Sequence, residues 1–244
     1  MIFNFKQLLM VIIICAAGIS FAQDLSLSAG ADIVSRYIWR GLNVNDAVNI
    51  QPALTLSVSG FSVGFWGSYS FSNNSGDNTF GQEVDTWIGY NYSFENGMGI
   101  GALLTDYYYP NTGIKWGNFN NYDDVNGAGA HTIETGLLLR GPNSFPISLS
   151  GFINVYNDAG NNTYFQIDYP TSVAEVPLNF FVGASGGSEE NPGYYGTQTF
   201  NVINVGVKAT KYVKITEDYS LPVSLTFLIN PRTEISYLVF GLTF

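Results

Sequence analysis

The sequence predicts an all-β chain: a transmembrane antiparallel up-and-down β-barrel of about twelve strands, with both termini in the periplasm. Three observations carry that expectation. Apolar and polar residues alternate with period two through most of the chain, as in a strand with two unlike faces. Nothing after Ala22 approaches the roughly 20 continuous apolar residues of a membrane helix. The last residues alternate too, and they stop on an aromatic, Phe244.

Residues 1–22 read as a cleavable signal peptide. Lys6 precedes an apolar run over 8–15, and small residues lead to Ser20-Phe21-Ala22, a small-x-small exit. Cleavage there starts the mature chain at Gln23 and leaves 23–244 as one barrel domain, exported to the outer membrane of a Gram-negative bacterium. Cys15 raises a lipoprotein alternative, but Ile14 is a poor match to the small residue that such a cleavage needs. The sole cysteine leaves with the signal, so no disulfide or cysteine metal site is expected.

The strands follow in order. In the first, Leu25, Leu27, Ala29, Ala31 and Ile33 oppose Ser26, Ser28, Gly30 and Asp32. The second centres on Leu54. The third is the clearest, with Phe61, Val63, Phe65, Tyr69 and Phe71 on one face and Ser62, Gly64, Trp66, Ser68 and Ser70 on the other. The fourth sets Val84, Thr86, Ile88, Tyr90 and Tyr92 against Glu83, Asp85, Trp87, Gly89 and Asn91. Further centres fall near Ala102, Gly136, Gly151, Phe165, Val182, Val205, Leu225 and Val239. Each segment has the roughly 9 to 12 residues that a tilted strand needs to cross a bilayer. Pro170 and Pro177 bracket a turn or a broken strand, because proline donates nothing to a ladder.

The connections alternate in length, as barrels with short periplasmic turns require. Ser59-Gly60, Glu95-Asn96-Gly97 and Gly141-Pro142-Asn143 are short and fall inside. The polar stretches 41–49, 73–81, 110–130 and 187–197 are longer and fall outside. In the last third, 158–162 and 230–233 are short outer links and 210–220 a long inner one. A secreted soluble sandwich or lipocalin-like barrel is the alternative fold. Such a barrel has about eight strands, and a chain of this length in long strands would be oversized for it.

The charge balance is 9 Lys+Arg against 19 Asp+Glu, a net −10, and losing Lys6 makes it −11. That sign argues against a nucleic-acid partner. If the apolar faces meet lipid, parity turns Asp32, Arg36, Arg40, Glu83, Asp85, Glu134, Arg140 and Lys208 inward. A lysine or arginine on the lipid face would cost about 2–4 kcal/mol at the midplane. Trp66 and Trp87 share the inward parity and are constriction candidates. Tyr37, Trp39, Tyr69, Tyr90 and Tyr92 have outward parity and are expected in the aromatic girdle. A one-residue slip would reverse any of these strands.

The segment Ser35-Arg36-Tyr37-Ile38-Trp39-Arg40-Gly41 is followed by Gln51-Pro52-Ala53-Leu54 and then by Trp66-Gly67-Ser68-Tyr69-Ser70-Phe71. In that order they resemble the TorF-type porin family, the Gcw_chp outer-membrane proteins. The likeness is densest over 25–94, and the strand pattern and Phe244 continue it. It implies a barrel, with no catalytic or binding residue to carry over.

Chemistry is sparse. His131 is the only histidine, with Asp123, Asp124 and Glu134 near it but no serine at a nucleophile spacing, so no enzyme is expected. Asp123-Asp124-Val125-Asn126-Gly127 lacks the spacing and closing glutamate of a calcium loop. Tyr107-Tyr108-Tyr109 and Tyr194-Tyr195 lie beside outer links, where a girdle or a sugar platform would both place them. Asp46, Asp77, Asp123, Asp124, Asp158, Glu189 and Glu190 in the outer links make an acidic mouth that would attract cations. The expected function is passive diffusion of small solutes with mild cation preference. The alternative is a structural or surface-recognition barrel with a plugged lumen, acting through its extracellular loops, foremost 110–130. No cofactor is implied. The expected partners are outer-membrane lipid and the barrel-assembly machinery, which reads the strand ending on Phe244.

Overall fold

The computed structural model describes residues 25–72, 82–187 and 193–244. The signal peptide read over 1–22 lies outside the described residues, as do Gln23 and the stretches 73–81 and 188–192 within two links. The strands are β1 (Ser26–Val34), β2 (Tyr37–Trp39), β3 (Leu42–Asn45), β4 (Asn49–Val58), β5 (Phe61–Ser70), β6 (Glu83–Ser93) and β7 (Gly99–Tyr108). They continue with β8 (His131–Arg140), β9 (Ser148–Tyr156), β10 (Thr163–Val173), β11 (Val176–Ser185), β12 (Asn201–Lys214), β13 (Ser220–Asn230) and β14 (Ile235–Thr243).

Strands β1 and β4 to β14 pair antiparallel with their neighbours and close into a barrel, with β1 between β4 and β14. Each of the twelve predicted centres, from Ala29 to Val239, falls inside one of these strands. Closure follows from the alternation: one face of every strand is apolar and turns outward, so Leu27, Val63, Ile88, Leu137 and Phe240 are all exposed on the exterior wall. The polar face is folded inward, and Asn49, Ser68, Glu83, Glu134 and Ser185 are buried there.

The two rims differ. At one, the links are short: 59–60, 94–98, 141–147, 174–175 and 215–219. Ser59 and Gly60, at φ +48° and +85°, and Ala174 and Glu175, at +48° and +64°, make two-residue turns that match the strand twist. The prolines therefore flank a turn inside continuous strands: Pro170 pairs opposite Asn179 and Pro177 opposite Ser172. The expected long link over 210–220 is corrected as well. β12 continues to Lys214, paired with Ser220, because the alternation of Ala209, Lys211 and Val213 against Leu225, Val223 and Leu221 keeps the ladder in register.

The other rim carries the long links, and the first of them departs from expectation. The first strand stops at Val34, so Tyr37 and Trp39 do not continue its outward face. Residues 37–45 instead form the hairpin β2–β3, paired apart from the barrel sheet, and they fold into the lumen rather than projecting from it.

Candidate functional site

The hairpin turns at Arg40 and Gly41, both with positive φ, +49° and +80°. Glycine is obligatory at the second position: a Cβ on Gly41 would lie 2.0 Å from the Ile203 carbonyl oxygen of β12. Asn230 of β13 donates to the Gly41 carbonyl at 3.1 Å. The tip is thereby pressed against one wall of the barrel. Arg40 then reaches the opposite wall.

There it meets Glu134 of β8 with two bonds, 2.6 Å from Nη1 and 2.8 Å from Nη2. This bidentate fit is the strongest geometry an arginine and a carboxylate adopt. Nη1 also donates to the Tyr195 hydroxyl at 2.6 Å, and Tyr107 donates to Glu134 at 2.9 Å. The guanidinium lies 4.4 Å from the Phe152 ring centroid and 4.6 Å from those of Trp39 and Tyr164. Trp39 in turn stacks on Tyr195, at 5.5 Å and 11°. Such a cation is desolvated, so its aromatic neighbours contribute more than they would in water.

A second anchor lies along the same hairpin. The Tyr37 hydroxyl donates to Glu83 of β6 at 2.9 Å, and its ring packs 5.5 Å from Trp66 of β5. From the far side, the turn Gly193–Tyr195 descends to meet the hairpin, and Tyr194 bonds Thr132 at 3.0 Å. Burial pushes the Tyr194 phenol up to about 12 and raises Tyr37 above the usual tyrosine range, so both stay protonated. Hairpin and turn together fill the lumen at the long-link rim.

Toward the short-turn rim the lumen keeps space. One cavity of about 370 Å³ is bordered by Trp66, Asp85, Trp87, Thr105 and Tyr107. Another of about 280 Å³ is bordered by Asp32, Gln51, Thr55, Trp66 and Thr243. A third, about 240 Å³, lies among Asn91, Ser93, Arg140, Ser150 and Asp168. Polar side chains of the inward faces share the walls of the last two with apolar ones such as Ala53 and Leu138.

The residues singled out from parity are thus divided. Arg40 with Glu134, and Glu83 and Asp85 with Trp66, gather at or just below the hairpin. Trp87 lies over Gly64, whose added Cβ would sit 2.3 Å from the indole. Asp32 accepts from Thr243 at 2.6 Å, and Arg140 holds the Gly97 carbonyl at 3.2 Å and Ser93 at 3.1 Å near the short-turn rim. Lys208 is exposed, opposite Asn179 in the register. Arg36 is at the long-link rim, 3.3 Å from Asp46 and over the Tyr237 ring. Arg36 and Arg40 are carried by the inward link and not by strand parity, which is the correction to their derivation.

Tyr37 and Trp39 are likewise corrected. Neither belongs to an exterior girdle, because Tyr37 is buried against Glu83 and Trp39 is stacked inside the lumen. The contacts of Phe152, Tyr164 and Tyr195 with Arg40 are not visible in the sequence; the one available signal is a turn-forming Arg40-Gly41 amid a long first link.

The link over 109–130 packs against the start of β8. His131 shares a strand face with Ile133, opposite Glu134, and its Nε2 and Nδ1 contact the Trp116 carbonyl at 2.7 Å and Asp106 at 2.9 Å. Phe119 stacks on the ring at 4.1 Å. Tyr156 donates to the Phe119 carbonyl, and Asn157 donates to Gly129 and to His131. Tyr109 at its start still reaches Glu83 inside the lumen, at 3.5 Å, and the stretch around Trp116 and Phe119 is folded onto the exterior of the rim. His131 is buried by that contact rather than solvated.

No curated protein matches the chain. The profile of one family, described as bacterial proteins of unknown function (Gcw_chp), matches residues 20–219. The barrel and its inward hairpin fall largely within that span, and the chain belongs to the Gcw_chp family.

Proposed function

We propose that the protein is an outer-membrane porin for small solutes, closed at rest by the hairpin β2–β3 and mildly cation-preferring when open. The membrane part rests on the exterior wall. Its apolar residues form a continuous exposed surface that water would penalise and hydrocarbon would not. The long-link rim then faces outward and the short-turn rim the periplasm. Export by the signal peptide at 1–22 and assembly through the strand ending on Phe244 complete the reading. It requires no chemical step and no cofactor.

The observation that carries the transport reading is the asymmetry of the lumen. It is capped at one rim by a link rather than by barrel strands, and beneath the cap it holds cavities into whose walls Asp32, Gln51, Asn91 and Arg140 are built. A barrel serving only as an anchor has no need of such space. Single-channel recording in planar bilayers tests the reading. The wild-type protein should be mostly closed, and deletion of 37–45 should give steady openings with several-fold greater mean conductance. A deletion variant that folds and still passes no current overturns it. That result would favour the second reading, a closed barrel acting through the link over 109–130, which presents Trp116 and Tyr122 to solvent from a fixed position on the rim.

A further inference from the structure

Below the hairpin, the strand register assembles an aromatic enclosure around one carboxylate. Asp85 on β6 pairs opposite Trp66 on β5 and opposite Tyr107 on β7. Trp87 follows two residues along the same inward face, and all four border the cavity of about 370 Å³. Asp85 is only 8% exposed, and its Oδ1 has no hydrogen-bond partner. An uncompensated carboxylate in such a place is unfavourable unless a cation or a proton meets it. The guanidinium of Arg40, on the hairpin above, is committed to Glu134. Glu83, two residues away, accepts from Tyr37 at 2.9 Å and is also hydrogen-bonded to Asp85, so the two carboxyls share one proton and carry one negative charge between them, with Oδ1 of Asp85 left over.

We infer that this cavity is a binding site for a small organic cation, an ammonium group with apolar substituents. Asp85 supplies the countercharge, and Trp66, Trp87 and Tyr107 supply the ring faces. The class of ligand follows from the walls. A bare metal ion needs several oxygen or nitrogen ligands, and among the described residues no group of three or more acidic, histidine or cysteine side chains is placed to hold one. An alkylammonium instead uses aromatic faces directly and buries its methyl groups against them. The space suits a molecule of several heavy atoms. With the hairpin closed, entry is from the short-turn rim.

The test uses the full-length folded protein in detergent micelles, with folding checked by heat-modifiable gel migration. Choline is titrated by calorimetry and by tryptophan fluorescence, beside its neutral isostere 3,3-dimethyl-1-butanol. Choline should bind at least about tenfold more tightly than the isostere. Asp85→Asn should weaken choline by about tenfold or more while leaving the isostere unchanged. Trp87→Leu, at a second position, should weaken both. Absence of choline binding, equal binding of the isostere, or full affinity in Asp85→Asn would each overturn the inference. No current is measured, so the outcome is separate from that of the hairpin deletion.

Discussion

Arg40 concentrates the opposing energies of this molecule in one side chain. Its backbone occupies the left-handed region at φ +49°, which a non-glycine residue adopts at a cost of about 1 kcal/mol or more. Its guanidinium is 11% exposed and Glu134 only 3%, so both charges have left most of their water. The bidentate bond offsets that desolvation, and removal of one partner strands the other. Glu134→Gln should therefore weaken hairpin docking by about 3 kcal/mol. Deuterium uptake by the amides of 37–45 would report it, rising by about tenfold or more over wild type. The double variant Arg40→Met/Glu134→Leu should return uptake toward the wild-type value, since paired apolar replacements carry no stranded charge. If Glu134→Gln exchanged as slowly as wild type, the ion pair would not be what holds the hairpin.

Among the elements, β1 and β14 form the least extensive seam of the barrel. β1 pairs with β4 along its whole length, from Ser26 to Val34, but meets β14 only from Asp32 opposite Thr243 to Val34 opposite Gly241. Backbone bonds between Ala31 and Phe244, at 3.2 and 2.9 Å, close the end of that seam. Gly30 permits the approach, because a Cβ there would lie 2.7 Å from the Phe244 carbonyl oxygen, a backbone atom with little freedom to move. Gly30→Val should destabilise closure by about 1–3 kcal/mol. Heat-modifiable migration should show unfolding several degrees lower than wild type, whereas Gly117→Val, with nothing within 4 Å, should behave as wild type. Equal heat resistance of the two variants would mean that the seam yields without cost. The strands themselves were legible in the sequence because period two is a local signal: Phe61, Val63 and Phe65 declare their face within a few residues. The direction of a link is not local. Arg40 finds Glu134 and Tyr195 at separations of 94 and 155 residues, and strand parity carried past Val34 assigned Tyr37 and Trp39 to the wrong side.

At the scale of the whole molecule, charge is distributed unevenly along the lumen, and this gives the proposed pore its sign. The inward carboxylates are Asp32, Glu83, Asp85, Glu134 and Asp168. Against them stand Arg140 and Lys208 on the strands and Arg40 on the hairpin. The alternation that drove polar residues inward explains why charges are there at all, since each would be costlier on the apolar exterior. It does not explain their acidic excess, which is a property of this sequence and matches its net −10. When the hairpin leaves, Arg40 leaves with it, and Glu134 loses its counterion. The open state should accordingly prefer cations more strongly than rare wild-type openings do. Reversal potentials of the 37–45 deletion variant in a KCl gradient measure this: potassium should be favoured over chloride several-fold at about 0.1 M salt, where the screening length is about 10 Å. The preference should fall as salt rises toward about 1 M, where that length shrinks to about 3 Å. Glu134→Gln in the same deletion background should lower it further, because a carboxylate near the mouth raises the local concentration of potassium. Chloride selectivity in the deletion variant would show that Arg140 and Lys208, not the acidic side chains, govern the path taken by ions.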